Sequence, residues 1–485
     1  MVRVTAPHQV PPVPPADLPG TLGALRAAGH GYKTVKQELR DNLLARMRAG
    51  GDRFPGIVGY DDTVLPEVER ALLAGHDMVL LGERGQGKTR LIRSLVALLD
   101  EWTPVIEGSA INEHPMRPLT PASRALVAEA GDDLPVGWLH RSMRYGEKLA
   151  TPDTSVGDLV GDVDPIRLAQ GRTLGDPETI HFGLVPRTNR GIFAVNELPD
   201  LAERIQVALL NVLEERDIQV RGYQLRLPLD LLLVASANPE DYTNRGRIIT
   251  PLKDRFGAEI RTHYPVDLDL ELALIRQEAD LVADVPEHVL EVLARFARAV
   301  RESPSVDPRS GVSARFAIAA AETVAAAALR RSGLLAAGAD EARPEAPVAR
   351  VGDAVSVTST LRGKVEFESG EEGREIEILA HLLRTATAET FRARLAGLDL
   401  SGFTSLVAEG TVIETGELVS SAELLRQVGT VPGLAKALDR LGLGDAPTPE
   451  EAAAGVEFVL EGLHLTRRLG KDVTESGRTV YGGRS

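Results

Sequence analysis

One glycine-rich segment constrains this chain more than any other feature. Residues 82–89 read Gly-Glu-Arg-Gly-Gln-Gly-Lys-Thr and fit the pattern G-x-x-x-x-G-K-S/T, which forms a phosphate-binding loop. The apolar run Met78–Leu81 before it suits a buried strand, and Arg90–Leu99 after it is apolar at helical spacing. Strand, loop and helix in this order predict an α/β sheet with a nucleotide site at its edge.

The residue types of this loop predict a site for phosphate and metal. Glycine N–H groups can curl around phosphate oxygens, and the helix that follows directs its positive end at the same anion. We expect Lys88 to reach the β- and γ-phosphates of the nucleotide and the Thr89 hydroxyl to bind Mg²⁺. The predicted nucleotide-binding set is Gly82, Glu83, Arg84, Gly85, Gln86, Gly87, Lys88, Thr89 and Arg90.

Composition narrows the remaining function classes. The chain has 485 residues, of which 43% are hydrophobic, so it can build two or three domains. It has no cysteine, which excludes disulfides and thiol catalysis and favours a reducing, cytoplasmic location. The net charge of −15 and the aromatic content of 4% disfavour a nucleic-acid partner. No apolar run is long enough to span a bilayer, so we expect no membrane partner.

Shifts in proline, glycine and apolar content divide the chain. They predict a mobile leader (1–20), an N-terminal helical segment (21–53), a mixed α/β core (54–264), a helical lid (265–334), a linker (335–350) and a mostly helical acidic module (351–485). Within the core, Ile192–Val195 and Leu231–Ser236 are apolar runs typical of parallel strands covered on both faces. Residues 103–150 are rich in turns and receive no assignment.

Two of the predicted strands end in polar residues that suit phosphate chemistry. ATPases with this loop usually carry Asp-Glu at one strand end, where Asp holds the Mg²⁺ shell and Glu polarises the attacking water. Here the pair is Asn196 and Glu197, so the metal position is neutral and Glu197 is the expected general base. Asn238 follows the next strand and can bind the γ-phosphate and the lytic water, although an Asn-Pro turn is the alternative.

Two arginines are further catalytic candidates. Arg255 lies in Pro251–Gly257, where it could stabilise transition-state charge in a neighbouring subunit or simply pair with Asp254. Arg315 begins a helix after the core, where a lone arginine is usually solvated.

The order of these motifs resembles AAA+ ATPases, above all the magnesium-chelatase ATPase subunit and then MoxR-type ATPases. The resemblance covers roughly residues 54–332. The segments that most specifically support the resemblance are Gly183–Gly191, Leu209–Asp217 and Ile218–Leu227. In the last segment apolar and polar residues alternate as in a β-hairpin. In that family the hairpin and an insert, here within about Ser155–Phe182, remodel partner proteins.

The resemblance also implies an assembly and a set of roles. It implies a homo-oligomeric ring, commonly a hexamer, with ATP and Mg²⁺ between neighbours, and a partner that carries a von Willebrand A-type domain. The implied roles are phosphate and Mg²⁺ binding for Lys88 and Thr89, general base for Glu197, first sensor for Asn238, finger in trans for Arg255 and second sensor for Arg315.

Three functions compete on the sequence alone. The first is an ATP-driven remodelling motor of the chelatase/MoxR type that acts on a partner protein. The second is a nucleotide-gated scaffold with little turnover, because Asn196 brings no charge. If the motor is correct, Asn196→Asp should raise Mg²⁺-dependent hydrolysis, and no change would mean that another group already supplies the charge. The third is a sigma-factor-contacting AAA+ activator, which is disfavoured because the loop sequence Gly-Ala-Phe-Thr-Gly-Ala is absent.

The C-terminal module, residues 351–485, resembles no family. Docking of a partner and inert helical packing are equal alternatives for it. Within it, Val365–Ile378 carries six glutamates that alternate in part with apolar residues, which predicts a small hairpin with one solvated face.

Overall fold

The computed structural model of the chain describes residues 12–163, 180–214, 218–220, 223–225, 227–239, 247–307, 312–337, 345–474 and 478–482. They fall into two compact units, Met1–His263 and Tyr264–Ser485. Parts of the predicted leader, insert, hairpin turn and linker lie outside the described residues.

The first unit alternates strands and helices. Among its described residues the elements in chain order are α1 (Leu22–Ala27), α2 (Val35–Ala49), α3 (Val64–Ala74), β1 (Met78–Leu81), α4 (Lys88–Ser94), β2 (Trp102–Ile106), α5 (Pro121–Ala130), β3 (Val136–His140), β4 (Tyr145–Leu149), α6 (Val156–Leu159), β5 (Gly161–Val163), β6 (Ile180–Phe182), α7 (Leu184–Arg187), β7 (Gly191–Asn196), α8 (Glu203–Glu214), β8 (Ile218–Val220), β9 (Tyr223–Leu225), β10 (Leu231–Ala237), α9 (Thr250–Arg255) and β11 (Ala258–Arg261). The predicted strand before the loop and helix after it are both present, and a 3₁₀ turn, Leu95–Leu98, continues α4.

A five-stranded parallel sheet in the order β11-β1-β10-β7-β4 forms the centre of this unit. Every residue of β7 and β10 is buried, as their continuous apolar sequences predict. Successive residues face opposite sides, so Ile192 and Ala194 pack in the cluster that includes α4, and Phe193 and Val195 pack in the cluster that includes α8. The α/β core with a parallel sheet between helices is therefore confirmed.

Strand β4 completes one edge of the sheet and lies within the stretch 103–150 that received no assignment. It pairs with β7 in parallel, with Leu149 opposite Asn196. Just before it, the Arg144 guanidinium donates to both carboxylate oxygens of Glu38 in α2, at 2.6 and 2.7 Å, and both side chains are buried. This ion pair ties the start of β4 to the helix layer.

Two antiparallel pairs lie outside the central sheet. Strands β8 and β9 pair with Ile218 opposite Leu225, which confirms the predicted hairpin, while its turn at 221–222 lies outside the described residues. Strands β5 and β6 pair within the region of the expected insert, of which 164–179 lies outside the described residues.

The second unit is mostly helical. Among its described residues the elements are α10 (Leu268–Glu278), α11 (Glu287–Glu302), α12 (Ala314–Ala337), α13 (Val355–Thr360), α14 (Glu375–Leu395), α15 (Ser401–Ala408), β12 (Ile413–Thr415), α16 (Ser421–Val428), α17 (Leu434–Arg440), α18 (Pro449–Leu465), β13 (Gly470–Val473) and β14 (Thr479–Gly482). One hydrophobic core runs from α10 to α18. The finer division of this unit into lid, linker and C-terminal module stays a prediction. In the parts of the chain that the structure describes, no helix has the length and apolar character needed to cross a membrane.

The small hairpin predicted over Val365–Ile378 is wrong. Phe367 forms an isolated bridge with Val306, whereas Glu375 begins α14. Glu375 and Glu377 occupy the first turn of this helix, where carboxylates complement the positive end of the helix dipole. The alternation at Glu375–Ile378, which suggested a strand, lies at the start of a long helix.

Candidate nucleotide-binding site

The glycine-rich loop joins the carboxyl end of β1 to α4. Gly85 and Gly87 have φ angles of 74° and 77°, a left-handed conformation that other residues rarely adopt. A Cβ atom on Gly82 would collide with the side chains of Thr262 and Gln86. The backbone geometry and the close packing therefore require glycine at these three positions.

Gln86 stabilises the loop conformation through hydrogen bonds of its side chain and its carbonyl. Its side-chain oxygen accepts hydrogen bonds from the Glu83 N–H at 3.0 Å and from the Thr262 hydroxyl at 2.7 Å. The Tyr60 hydroxyl donates to the Gln86 carbonyl, and burial raises the pKa of Tyr60 to about 12, so the hydroxyl keeps its proton at neutral pH. Tyr60 and Thr262 are supporting residues that no motif in the sequence indicated.

Three residues from three separate motifs meet at the carboxyl edge of the sheet. The Lys88 ammonium donates to the Asn238 side-chain oxygen at 2.8 Å, to the Glu83 carbonyl at 2.8 Å and to the Gly82 carbonyl. The Asn238 amide nitrogen in turn donates to Glu197 Oε2 at 2.9 Å. Lys88 and Asn238 are buried. Ligands of open α/β sheets bind at this edge, and the three side chains predicted as cation, sensor and base meet there; their roles stay predictions.

Glu197 has an unusual backbone. Its φ and ψ of 56° and 48° lie in the left-handed region, which costs a non-glycine residue about 1–3 kcal/mol. The Glu197 N–H donates to the Ser236 hydroxyl at 3.4 Å, and the carboxylate accepts from Asn238. Strain of this kind persists where the surroundings hold a side chain in a required position.

Asn196, the predicted metal-shell residue, is hydrogen-bonded through both atoms of its amide. Its Nδ2 donates to Glu147 Oε1 at 2.6 Å, and its Oδ1 accepts from the Ser236 hydroxyl at 3.1 Å. The Glu147 side chain belongs to β4 and was not predicted as a site residue. The neutral Asn196 at the end of β7 is therefore hydrogen-bonded directly to a carboxylate, that of Glu147.

Glu147 also binds the helix that follows the loop. Arg93 of α4 donates to the two oxygens of the Glu147 carboxylate, from Nε at 2.8 Å and from Nη2 at 3.0 Å. The Tyr145 hydroxyl donates to the same carboxylate at 2.9 Å. The hydrogen bond with Glu147 is the largest cause that raises the pKa of Arg93, so the Glu147 carboxylate stabilises the charged guanidinium.

The other predicted loop residues lie close to this cluster in sequence and differ in exposure. Thr89 is half-buried in the first turn of α4. Arg84 is exposed at the tip of the loop. Arg90 is half-buried, and its guanidinium lies so close to Gly56 that a Cβ there would be 2.9 Å from it.

The two candidate arginines belong to different units. Arg255, at the end of α9, forms an ion pair with Glu214 of α8 rather than with the adjacent Asp254 of the sequence alternative. Arg315 is exposed in the first turn of α12, in the second unit. Their roles in catalysis stay predictions.

The groups at the loop suit a nucleoside triphosphate with Mg²⁺. Lys88 supplies a cation, Thr89 a hydroxyl, and Asn196 and Glu197 supply oxygen atoms, which are the ligands that Mg²⁺ prefers directly or through water. A Cβ on Gly87 would meet no atom within 4 Å, so the loop has open space at this glycine. The donor set fits both cofactors expected from the sequence.

Comparison with known proteins finds curated relatives among magnesium-chelatase subunits. No model of a known protein family matches the chain. It is 30% identical over 241 residues to the magnesium-chelatase 38 kDa subunit of Cereibacter sphaeroides, covering 48% of this chain and 64% of that protein. It is also 30% identical over 236 residues to the magnesium-chelatase subunit ChlI of Guillardia theta, covering 47% of this chain and 62% of that protein. The chain thus spans less than two thirds of the length of either relative.

Among solved structures, a model of the complex between subunits BchI and BchD of magnesium chelatase superposes with a TM-score of 0.35. Its sequence identity is 24%, and the match covers 67% of this chain and 98% of that chain. By its motifs, its α/β fold with a parallel sheet and its curated relatives, this chain resembles the AAA+ ATPase subunit of magnesium chelatase.

Proposed function

We propose that this chain binds ATP with Mg²⁺ and hydrolyses it, as an AAA+ remodelling motor of the magnesium-chelatase/MoxR type that acts on a partner protein. The observation that carries the proposal is the hydrogen-bonded chain from Lys88 through Asn238 to Glu197 at the carboxyl edge of the sheet. A phosphate-binding cation, a polar sensor and a general base are the groups that hydrolysis of a γ-phosphate needs.

Each residue of the site has a physical role in this proposal. The loop N–H groups and Lys88 hold the phosphates, and Thr89 and Asn196 hold the metal and its water shell. Bound Mg²⁺ supplies neutralisation of the charge that develops on the phosphate oxygens. Glu197 accepts the proton of the attacking water, and Asn238 keeps the Glu197 carboxylate in place through its 2.9 Å hydrogen bond.

The proposal includes a homo-oligomeric ring, with a hexamer as the expected size and the cytoplasm as its location. Arg255 would act on the nucleotide of the neighbouring subunit, and Arg315 would act as the second sensor. The ion pair of Arg255 with Glu214 is partly exposed, with side chains 46% and 39% accessible, so it contributes at most about 1 kcal/mol and can be exchanged for a phosphate contact. The partner would carry a von Willebrand A-type domain and would contact the β8–β9 hairpin and the insert.

Two measurements on the same protein test the activity. Steady-state ATPase rate and nucleotide affinity are measured for wild type and Glu197→Gln. The motor requires that the wild-type rate is well above that of Glu197→Gln while the two bind nucleotide equally. Equal rates would contradict a motor. A pull-down with ATP and Glu197→Gln, which holds the ATP-bound state, then identifies the partner.

A nucleotide-gated scaffold is the second candidate, and the neutral Asn196 is the observation that favours it. It predicts tight nucleotide binding and ATP-dependent assembly with a rate that Glu197→Gln does not lower. Light scattering with and without ATP, read beside the ATPase rate, separates the two functions.

A further inference from the structure

The end of β7 carries an amide whose orientation is determined by its neighbours. A carboxylate only accepts hydrogen bonds, so the atom of Asn196 that faces Glu147 at 2.6 Å must be the Nδ2 donor. The Ser236 hydroxyl then donates to Oδ1 at 3.1 Å. One lone pair of Asn196 Oδ1 remains for a further donor, such as a metal-bound water.

Glu147 itself has no acceptor site left for a metal-bound water. A carboxylate has about four acceptor sites, and Glu147 receives hydrogen bonds from Arg93 Nε, Arg93 Nη2, the Tyr145 hydroxyl and Asn196 Nδ2. Its influence on anything bound at the loop therefore passes through Asn196.

Strand register explains why the two side chains meet. In the parallel pairing of β4 with β7, Glu147 lies opposite Ala194, two residues before Asn196. Residues two apart share a face of the strand, so Glu147 and Asn196 are diagonal neighbours on the face that α4 covers. Arg93 approaches from that helix, one turn after Thr89.

We propose that Glu147 is a positioning residue for the metal site: the carboxylate that usually ends this strand has moved to β4, and it fixes and polarises the Asn196 amide so that Oδ1 binds the water shell of Mg²⁺. This inference rests on the proposed function. In this pair the carboxylate of Glu147 lies on β4 and the amide of Asn196 ends β7, whereas an Asp would place the carboxylate at the end of β7 itself.

A purely structural role for Glu147 is the competing explanation. In that role Glu147 only neutralises Arg93 and holds β4 against α4. Removal of either ion-pair partner would then lower thermal stability by a similar amount and leave the metal dependence of nucleotide binding unchanged.

The test measures how strongly Mg²⁺ tightens binding of ADP. The dissociation constant of ADP is determined by calorimetry in EDTA and in excess Mg²⁺, and the ratio of the two constants is compared among variants. The variants are Glu147→Gln, Asn196→Asp, the double variant with both changes, and Arg93→Gln as the ion-pair control. Thermal melting of each variant reports folding separately.

The proposal makes different predictions for these variants. Glu147→Gln lowers the ratio about 10-fold, as the loss of a partner behind a metal ligand does. Asn196→Asp also lowers it, because two carboxylates then repel at the 2.6 Å contact. The double variant exchanges amide and carboxylate, restores the hydrogen bond and returns the ratio to within about 2-fold of wild type. Arg93→Gln lowers the melting temperature without lowering the ratio.

Three results would overturn the inference. They are an unchanged ratio in Glu147→Gln, a gain in Asn196→Asp alone, or a double variant that is worse than both single variants. If Glu147→Gln does not fold, the comparison of Asn196→Asp with wild type still decides. The proposal predicts a lower ratio for Asn196→Asp, whereas an Asp at the end of β7 that is not influenced by Glu147 would raise the ratio. Failure of wild type to bind ADP under either condition would instead refute the proposed function.

Discussion

Asn238→Ala should separate catalysis from nucleotide binding. The Asn238 side chain joins Lys88 to Glu197 through hydrogen bonds of 2.8 and 2.9 Å. Each contact is with an ionised group, where one hydrogen bond contributes about 1.5–3 kcal/mol. Lys88 keeps its two carbonyl contacts in the variant, so the loss concerns mainly the position of Glu197.

The expected result is a fall of about 100-fold in kcat, the lower part of the range for a general base. Nucleotide affinity should change by less than about 10-fold, because Lys88 loses one hydrogen bond and keeps its contacts with the Gly82 and Glu83 carbonyls. The assay is steady-state ATPase beside calorimetric titration. Asn42→Ala is the matched control, since that amide also makes two hydrogen bonds, to the Leu98 carbonyl and to Asp100, in a different part of the unit. An unchanged kcat, or affinity lost as completely as in Lys88→Ala, would refute the reasoning.

Three further predictions concern other groups. Arg255→Ala should spare nucleotide binding and lower ATPase turnover in the assembled protein, because in the proposed ring the Arg255 guanidinium acts on the phosphate of a neighbouring subunit. Glu38→Gln should cost about 3–5 kcal/mol in urea unfolding of the first unit, because it leaves the buried Arg144 charge unpaired. His288 is fully buried, and burial lowers its pKa to about 3 from 6.5, so its contribution to stability is complete above pH 6.5 and decreases as pH falls towards 3. Relative to His288→Leu, wild type should lose about 2 kcal/mol between pH 7 and pH 5.

Each of these predictions has a control. Lys253→Ala removes an exposed cation from the same helix as Arg255 and should leave turnover unchanged; an equal loss in both variants would contradict the finger role. Glu69→Gln breaks a more exposed ion pair, with Arg53, and should cost only about 1 kcal/mol or less. If wild type and His288→Leu lose stability in parallel from pH 7 to pH 5, His288 is not the group that titrates.

Sequence patterns predicted those parts of the site that lie next to a strand in the chain. Lys88, Glu197 and Asn238 each follow an apolar run of four or more residues, and runs of that kind identify buried strands. Parallel strands end at one edge, so the convergence of the three side chains followed from the order of motifs.

Glu147 could not be found in this way. Strand β4 reads Tyr-Gly-Glu-Lys-Leu and lies at the edge of the sheet, where one neighbour and partial exposure permit glycine and charged residues. The only signal is a weak alternation, and its bond to Asn196 joins residues 49 apart in the chain. The failed hairpin at Val365–Ile378 has a related cause, because a short alternation of glutamate and isoleucine is compatible with either a strand or the first turn of a helix.

The central claim is that the loop at 82–89 holds the phosphates of ATP through Lys88. Calorimetric titration of Mg·ATP into wild type and Lys88→Ala measures this directly. We predict saturable binding to wild type and binding weaker by about 10- to 100-fold in Lys88→Ala, the loss expected for one hydrogen bond to a charged group. Absence of binding to folded wild type, or equal affinity in the two proteins, would contradict the account.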